Sequence, residues 1–231
     1  MAQKLWEKNV QVDQEVDTFT VGKDREMDLY LAKYDVLGSM AHITMLESIG
    51  LLTKEELTIL LAELKNIYAV ADCGRFVIEE GVEDVHSQVE LMLTRSLGDT
   101  GKKIHSGRSR NDQVATDMHL YLKAKLVEVI EKLDNLRGTL VNLADKHTYT
   151  IMPGYTHLQH AQPISFGHHL MAYYNMFTRD AERFEFNIKH TDISPLGAAA
   201  LAGTTFPIDR NMTSDLMGFA KPVSYTHLRA H

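Results

Sequence analysis

Apolar side chains recur at three- and four-residue steps through most of the chain, and this period predicts helices. In the stretch from Asp24 to Ile49 the repeating positions are Met27, Leu31, Tyr34, Ala41, Met45 and Ile49. Gly50 follows directly, and a glycine after the last apolar position is a common helix end. The pattern therefore predicts one helix over residues 24–49.

Two further helices are predicted between residues 53 and 98. Thr53 stands three residues before Glu56, which is the spacing of a capping box, and helical spacing continues to Tyr68. A small hairpin or irregular turn is expected around Gly81, and the next helix should end at Gly98; its repeating positions are Val85, Val89, Leu93 and Leu97. These helices are expected to form a first unit.

A longer stretch of helical apolar periodicity follows a loop that is predicted from Asp99 to Arg110. From Asn111 it continues for more than thirty residues, at Val114, Met118, Leu122, Leu126, Val129, Leu133, Leu136, Leu140 and Leu143. A helix of that length is well above average and indicates an elongated bundle or the core of an oligomer.

Shorter elements follow the long helix. The segment GYTHLQHAQP, residues 154–163, is expected to be an ordered loop, and Ser165 can cap a helix that runs to about His190. The small residues of SPLGAAALAGTTFP, residues 194–207, predict a loop whose backbone approaches another group closely. A short helix is predicted from residue 209 to residue 219, so the fold class is all-α.

Composition narrows the range of functions. The formal net charge of -7 argues against nucleic acid or an anionic membrane surface as the main partner. Cys73 is the single cysteine, which excludes an intrachain disulfide and suits a cytoplasmic protein. Charges interrupt the N-terminal residues, so neither a signal peptide nor a membrane anchor is predicted.

The segment KKIHSGRSRND, residues 102–112, has four cations in its first nine residues. Ser109 or Asn111 is suited to cap the long helix, so that Arg110 and the free backbone N–H groups of the first turn would form an anion site. The alternative interpretation is a solvated basic loop.

Two histidine segments are further candidates for chemistry. In residues 154–163, His157 is a candidate acid or base, and Thr156 can hold a substrate oxygen beside it. A zinc site is not predicted, because no cysteine or paired carboxylate accompanies the histidines, which are His157, His160, His168 and His169. His86, in EDVHSQVE, could instead be a surface histidine stabilised by Asp84.

Three segments together resemble the argininosuccinate lyases of the fumarase/aspartase superfamily. They are GRSRNDQ (residues 107–113), GYTHLQHAQP and SPLGAAALAGTTFPIDR (residues 194–210), and the first is the most discriminating. The resemblance runs in order and spacing from Leu5 to about Val223, which is the N-terminal half of such an enzyme.

The resemblance implies a fold and a reaction. It implies a small N-terminal helical domain, residues 1–110, followed by the first part of a long central helix bundle, residues 111–223. The implied reaction is elimination of fumarate from argininosuccinate to give arginine, the last step of arginine biosynthesis. The implied enzyme needs no cofactor, binds no nucleic acid or membrane, and is a cytoplasmic homotetramer with segments from three subunits in each active site.

The resemblance also assigns roles to residues. Removing a proton next to a carboxylate creates an aci-carboxylate, which preorganised hydrogen-bond donors must stabilise. The implied catalytic residue is His157, and the supporting residues are His86 and Gln159. The implied substrate contacts are Ser109, Arg110, Asn111 and Thr156.

Some features depart from the family pattern. Asp24 stands where the family has a substrate-contacting serine, and the loop that carries a catalytic serine and lysine is absent. The polypeptide as written is therefore expected to be inactive. The alternatives are another lyase of the superfamily, a non-catalytic lens-type structural protein, and a nucleic-acid contact through the basic loop.

The last eight residues, SYTHLRAH at 224–231, repeat the YTHL of residues 155–158. The second copy lacks the preceding glycine and the following amides, and the family match stops near Val223. The segment is therefore expected to be a non-native tail, and His227 is excluded from any site.

Overall fold

The computed structural model describes residues 14–224, which form two compact units. The first unit contains the described residues up to Tyr121 together with those from Asp192 onward, and the second contains Leu122–Thr191. The domain boundaries expected near residues 110 and 223 stay a prediction. Nearly all of the expected tail, including His227, lies outside the described residues.

The described chain is mostly helical, which confirms the all-α fold class. Its α-helices are α1 (Gln14–Val21), α2 (Asp24–Met27), α3 (Ala32–Ser48), α4 (Lys54–Asp72), α5 (Val85–Leu97), α6 (Asp99–Lys102), α7 (Arg110–Lys146), α8 (Phe166–Thr191) and α9 (Arg210–Leu216). Short 3-10 turns lie at Asp28–Tyr30 and Lys103–His105, and the strands are β1 (Ile151–Thr156) and β2 (Gln159–Ser165).

The core of the first unit lies where α3, α4 and α5 pack together. Its most buried apolar side chains are Val36, Ile43, Leu46, Leu60, Leu64, Ile67, Val85, Val89 and Leu93. Each such side chain stabilises the fold by about 1.5–3 kcal/mol relative to an exposed one. The helical period of the sequence therefore identified the helices that build this core.

The predicted helix ends in this unit are largely confirmed. Thr53 and Glu56 form the capping box at the start of α4, and Gly98 ends α5 with a positive φ of 61°. The single helix predicted over residues 24–49 is wrong, because α2 and α3 are separate. Asp28, between the two helices, makes a tertiary contact that periodicity does not reveal. Its Oδ2 accepts the backbone N–H of Val85 at 3.1 Å.

The loop predicted from Asp99 to Arg110 is partly wrong as well, since α6 and a 3-10 turn occupy residues 99–105. Both elements are too short to show an apolar period. Gly101 packs so closely on α5 that an added Cβ would lie 2.5 Å from the carbonyl carbon of Leu93. Glycine, which looks like a loop signal, is present here because a side chain would not fit.

In the second unit, the loop predicted for residues 154–163 is instead an antiparallel hairpin of β1 and β2. Pro153 pairs with Pro163, and Thr156 pairs with Gln159. Proline normally argues against a strand because it cannot donate to the ladder, but each strand of a two-stranded ribbon is an edge. The expected cap at Ser165 is confirmed, because its Oγ accepts the backbone N–H of His168 at 3.1 Å.

Candidate active site

The start of α7 is fixed by a reciprocal pair of hydrogen bonds. The backbone N–H of Asn111 donates to Ser109 Oγ at 3.3 Å, and the backbone N–H of Ser109 donates to Asp112 Oδ1 at 2.9 Å. Of the two capping residues considered from the sequence, Ser109 is therefore the one that caps the helix.

The small-residue loop, residues 194–207, is bound to the same helix start. The buried carboxylate of Asp112 accepts backbone N–H groups of Gly197 and Ala199 through Oδ2, at 2.9 and 2.8 Å. Asn111 Nδ2 donates to the carbonyl oxygen of Ala200 at 3.1 Å. The prediction that this backbone approaches another group closely is confirmed, and the group is the first turn of α7.

Each of the four cations of residues 102–110 has a partner of its own, so they do not form one solvated basic loop; the anion site expected at Arg110 and the first turn of α7 stays a prediction. Lys102 pairs with Asp99, Lys103 with Glu56, and Arg110 with Glu90. The fourth, Arg108, is buried, and its guanidinium donates to Ser39 Oγ at 3.1 Å. Asp99 is three residues from Lys102, but Glu56, Glu90 and Ser39 come from other parts of the sequence, so the spacing of the cations did not reveal those three partners.

Arg110 and His86 are joined by a continuous chain of hydrogen bonds. An N–H of Arg110 donates to Gln113 Oε1 at 3.0 Å, and Gln113 Nε2 donates to Asp35 Oδ1. The same Asp35 oxygen lies 2.9 Å from Nδ1 of His86. We call these four residues the Arg110–His86 relay. It links α7, α3 and α5, and two of the residues singled out from the sequence are at its ends.

His86 is buried, so its interpretation as a surface histidine is wrong. Its partner is Asp35, whereas Asp84 caps α5 by accepting the backbone N–H of Ser87 at 2.6 Å. Because Nδ1 faces the carboxylate, Nε2 is the ring nitrogen left for another group.

A second buried carboxyl group, Asp117, lies beside this pair, with Oδ2 3.5 Å from Nδ1 of His86. Burial alone would raise the pKa of Asp35, but His86, Arg108 and Gln113 stabilise its charge and lower the pKa to about 2. Burial, together with the nearby Asp35 charge, raises the pKa of Asp117 well above its usual value. The two carboxyl groups thus hold one negative charge more readily than two.

Among residues 14–224, Asp35, His86 and Asp117 offer three metal-ligand atoms within 4.8 Å of one another. This cluster carries its own cation, however, because Arg108 lies close enough to stabilise the charge of Asp35. A metal ion would have to be bound against that positive charge, and the relay hydrogen bond already engages Asp35 Oδ1. The donor set therefore fits a hydrogen-bonded polar cluster better than a metal centre.

The residues Thr156, His157 and Gln159 belong to the second unit and form a group of their own. His157 and Leu158 make the two-residue turn between β1 and β2, with φ 49° and 60°, and this places the His157 side chain at the exposed tip. Thr156 and Gln159 face each other as the last strand pair, and both are exposed. His160 is engaged separately, since its Nε2 lies 3.0 Å from the Tyr155 hydroxyl.

Sequence reasoning missed the buried polar residues that organise the first unit, which are Asp35, Asp112, Gln113 and Asp117. A signal was present in α3, where Asp35 and Ser39 stand one turn apart among buried positions such as Val36 and Ile43. Polar residues at helical spacing on an apolar face indicate buried hydrogen-bonded partners. The apolar period alone does not reveal such residues.

A family model described as "Lyase" matches residues 7–227, and the chain belongs to this lyase family. Its helical fold is that of the fumarase/aspartase superfamily. The names of the curated relatives specify one enzyme within this family. Argininosuccinate lyase of Streptococcus thermophilus is 64% identical over 96% of this chain and 48% of its own length.

Argininosuccinate lyase of Parabacteroides distasonis is likewise 64% identical, over 95% of this chain and 49% of the relative. The chain thus spans about half the length of the curated relatives it matches. Among solved structures, EDDS lyase in complex with formate aligns with a TM-score of 0.74 and 31% identity, over 90% of this chain and 42% of that chain.

Fumarate lyase from Mesorhizobium sp. BNC1 shares the fold, with a TM-score of 0.72 at 21% identity, over 88% of this chain and 50% of that chain. A helix with the length and apolar character of a membrane span is not found among residues 14–224.

Proposed function

We propose that this chain is the N-terminal half of an argininosuccinate lyase, which eliminates fumarate from argininosuccinate and leaves arginine. The observation that carries the proposal is the 64% identity to enzymes of that name over nearly the whole chain. Fumarate as a product is consistent with a solved structure of a relative, because an EDDS lyase variant that is 30% identical to this chain contains bound fumarate. Such a protein would serve the last step of arginine biosynthesis.

The chemistry explains why donors are needed near the start of α7. A base removes a proton from the carbon next to a substrate carboxylate, the adjacent carbon–nitrogen bond breaks, and its electron pair leaves with the guanidino nitrogen. Negative charge accumulates on the carboxylate meanwhile, and fixed donors stabilise it best. Ser109, Arg110 and Asn111 are our proposed substrate contacts, supported by the caps and bonds that hold this turn in place.

Proton transfer is assigned to the hairpin of the second unit. His157 is the proposed catalytic residue, with Thr156 as a substrate contact and Gln159 as a supporting residue. Their position at the hairpin tip suits contact with a substrate or another subunit, since all three are exposed in the single chain. The residue types also fit, because imidazole exchanges protons near neutral pH.

We further propose a cytoplasmic homotetramer. Apolar side chains along one face of α7 are partly exposed in the single chain, and they are Val114, Met118, Leu122, Leu136 and Leu143. A face of this kind is the usual surface for packing against other helices of an assembly.

The test is turnover of argininosuccinate, followed by fumarate release. Because the chain covers half the length of its relatives, residues 1–223 are joined to the corresponding C-terminal part of the Streptococcus thermophilus enzyme. The hybrid is expected to release fumarate and arginine in equal amounts, whereas the chain alone is expected to be inactive. His157→Asn should lower kcat of the hybrid by about 10²–10⁴-fold.

The matched control is His160→Asn, which changes the neighbouring exposed histidine of the same hairpin and should keep activity within a few-fold. A folded tetrameric hybrid that leaves argininosuccinate intact would overturn the proposal. Fumarate release from a different amino-acid adduct would then favour another lyase of the superfamily, and absence of all turnover would favour a structural role.

A further inference from the structure

The side-chain amide of Gln113, in the middle of the Arg110–His86 relay, has a defined orientation. Gln113 accepts from Arg110 with Oε1 and donates to Asp35 with Nε2, so both ends of its amide are committed. An amide turned the other way would place N–H against guanidinium and oxygen against carboxylate. The orientation of Gln113 is therefore set by its two charged neighbours.

Asp35 closes the relay on the imidazole of His86. Its Oδ1 lies 2.9 Å from Nδ1, and both side chains are buried, with exposed fractions of 0% and 3%. A carboxylate can only accept here, so Nδ1 must carry the hydrogen. A neutral His86 then has its lone pair on Nε2, which can accept a proton or hydrogen bond from a ligand.

We propose that Asp35 and Gln113 are positioning residues that fix His86 in its Nδ1–H tautomer and couple its orientation to Arg110. The relay leaves Nε2 of His86 as the acceptor and links the ring, through Asp35 and Gln113, to Arg110 in the first turn of α7. The identity of the molecule that meets Nε2 rests on the proposed lyase function. The tautomer itself rests only on contacts within this chain.

The first experiment is nitrogen-15 NMR of the whole chain labelled at histidine, with the His86 signal assigned by comparison with His86→Gln. At alkaline pH, where a neutral imidazole carries one proton, Nδ1 should be the protonated nitrogen and Nε2 the unprotonated one. Protonation of Nε2 instead would overturn the proposal. This readout needs neither turnover nor any variant of Asp35, so it stands even if the lyase function fails.

Asp35→Asn is then compared with Asp117→Asn. Loss of the Asp35 charge should shift the His86 tautomer and lower kcat of the hybrid enzyme by about 10²-fold, with a smaller effect on KM. Asp117→Asn replaces the carboxyl group that more readily stays neutral, so the tautomer and kcat should be nearly unchanged. A folded Asp35→Asn variant with the original tautomer and full kcat would show that the relay is only structural.

Discussion

Asp35 and Asp117 approach the same nitrogen, Nδ1 of His86, at 2.9 and 3.5 Å, but their pKa values are displaced in opposite directions. Two carboxylates sharing a buried site rarely both ionise. The partner residues decide which of them keeps the charge, because His86, Arg108 and Gln113 all stabilise the ionised form of Asp35. The asymmetry has consequences for stability at different pH values.

Asp117→Asn should stabilise the protein increasingly as pH rises above about 4. The pKa of Asp117 is raised in the folded state, so the unfolded chain releases this proton first and wild-type stability falls as pH increases towards the folded pKa. Asparagine has no such proton. The difference in unfolding free energy should change by up to about 1.4 kcal/mol per pH unit, as measured by urea unfolding between pH 4 and 8.

The opposite sign is expected for Asp35→Asn. The pKa of Asp35 is lowered to about 2, so its contribution to stability is present above the unfolded value near 3.9 and is lost as pH falls towards 2. The variant should be destabilised at pH 7, and the penalty should shrink on acidification. A penalty that grows as pH falls would contradict the charge assignment.

Asp112→Asn should destabilise the first unit by about 2–4 kcal/mol. The buried carboxylate accepts backbone N–H groups of Ser109, Gly197 and Ala199, and an amide would turn an NH₂ towards one of them. The measurement is equilibrium unfolding in denaturant. Asp134→Asn is a suitable control, because this aspartate is on the same helix with its side chain 57% exposed, and it should change stability by less than about 0.5 kcal/mol.

Two glycine substitutions should change the free energy of unfolding in opposite directions. Gly197 has φ 90°, and an added Cβ would lie 2.7 Å from Arg210 Cγ, so Gly197→Ala should destabilise by about 1–3 kcal/mol. Gly138 is inside α7, and a Cβ added there would meet nothing within 4 Å, so Gly138→Ala should stabilise by up to about 1 kcal/mol. Thermal unfolding of both variants beside wild type checks the pair, and equal shifts would contradict it.

Arg75→Ala should slow alkylation of Cys73 severalfold at neutral pH. Arg75 Nε donates to the Cys73 sulfur at 3.0 Å, and this contact lowers the pKa of the exposed thiol. The thiolate is the reactive form, so losing the arginine reduces its fraction. The rate is followed by mass spectrometry on the intact chain, in which Cys73 is the single cysteine. Arg95→Ala, which removes an exposed arginine paired with Glu79, should leave that rate unchanged.

The sequence predicts well those features of the fold that depend on residues close together in the chain. Thr53 and Glu56 are three residues apart, and their spacing predicts the capping box directly. The partners of the cations are not predictable in this way, because Lys103 pairs with Glu56 at a separation of 47 residues and Arg108 contacts Ser39 at 69. His86 and Arg110 are candidates from the sequence, and the spacing of α3 indicates that Asp35 is buried, but the connection that Asp35 and Gln113 make between them is visible only when three helices are placed together.

The relay, together with the adjacent Asp117, also limits how α7 can change in length. Gln113 and Asp117 are one helical turn apart, and each residue of an α-helix advances by about 100° around its axis. A single-residue insertion between Arg110 and Asp117 would rotate part of this turn away from α3 and α5, which no side-chain replacement could correct. Point substitutions here can be compensated, but insertions and deletions cannot, so homologues should keep this segment at constant length.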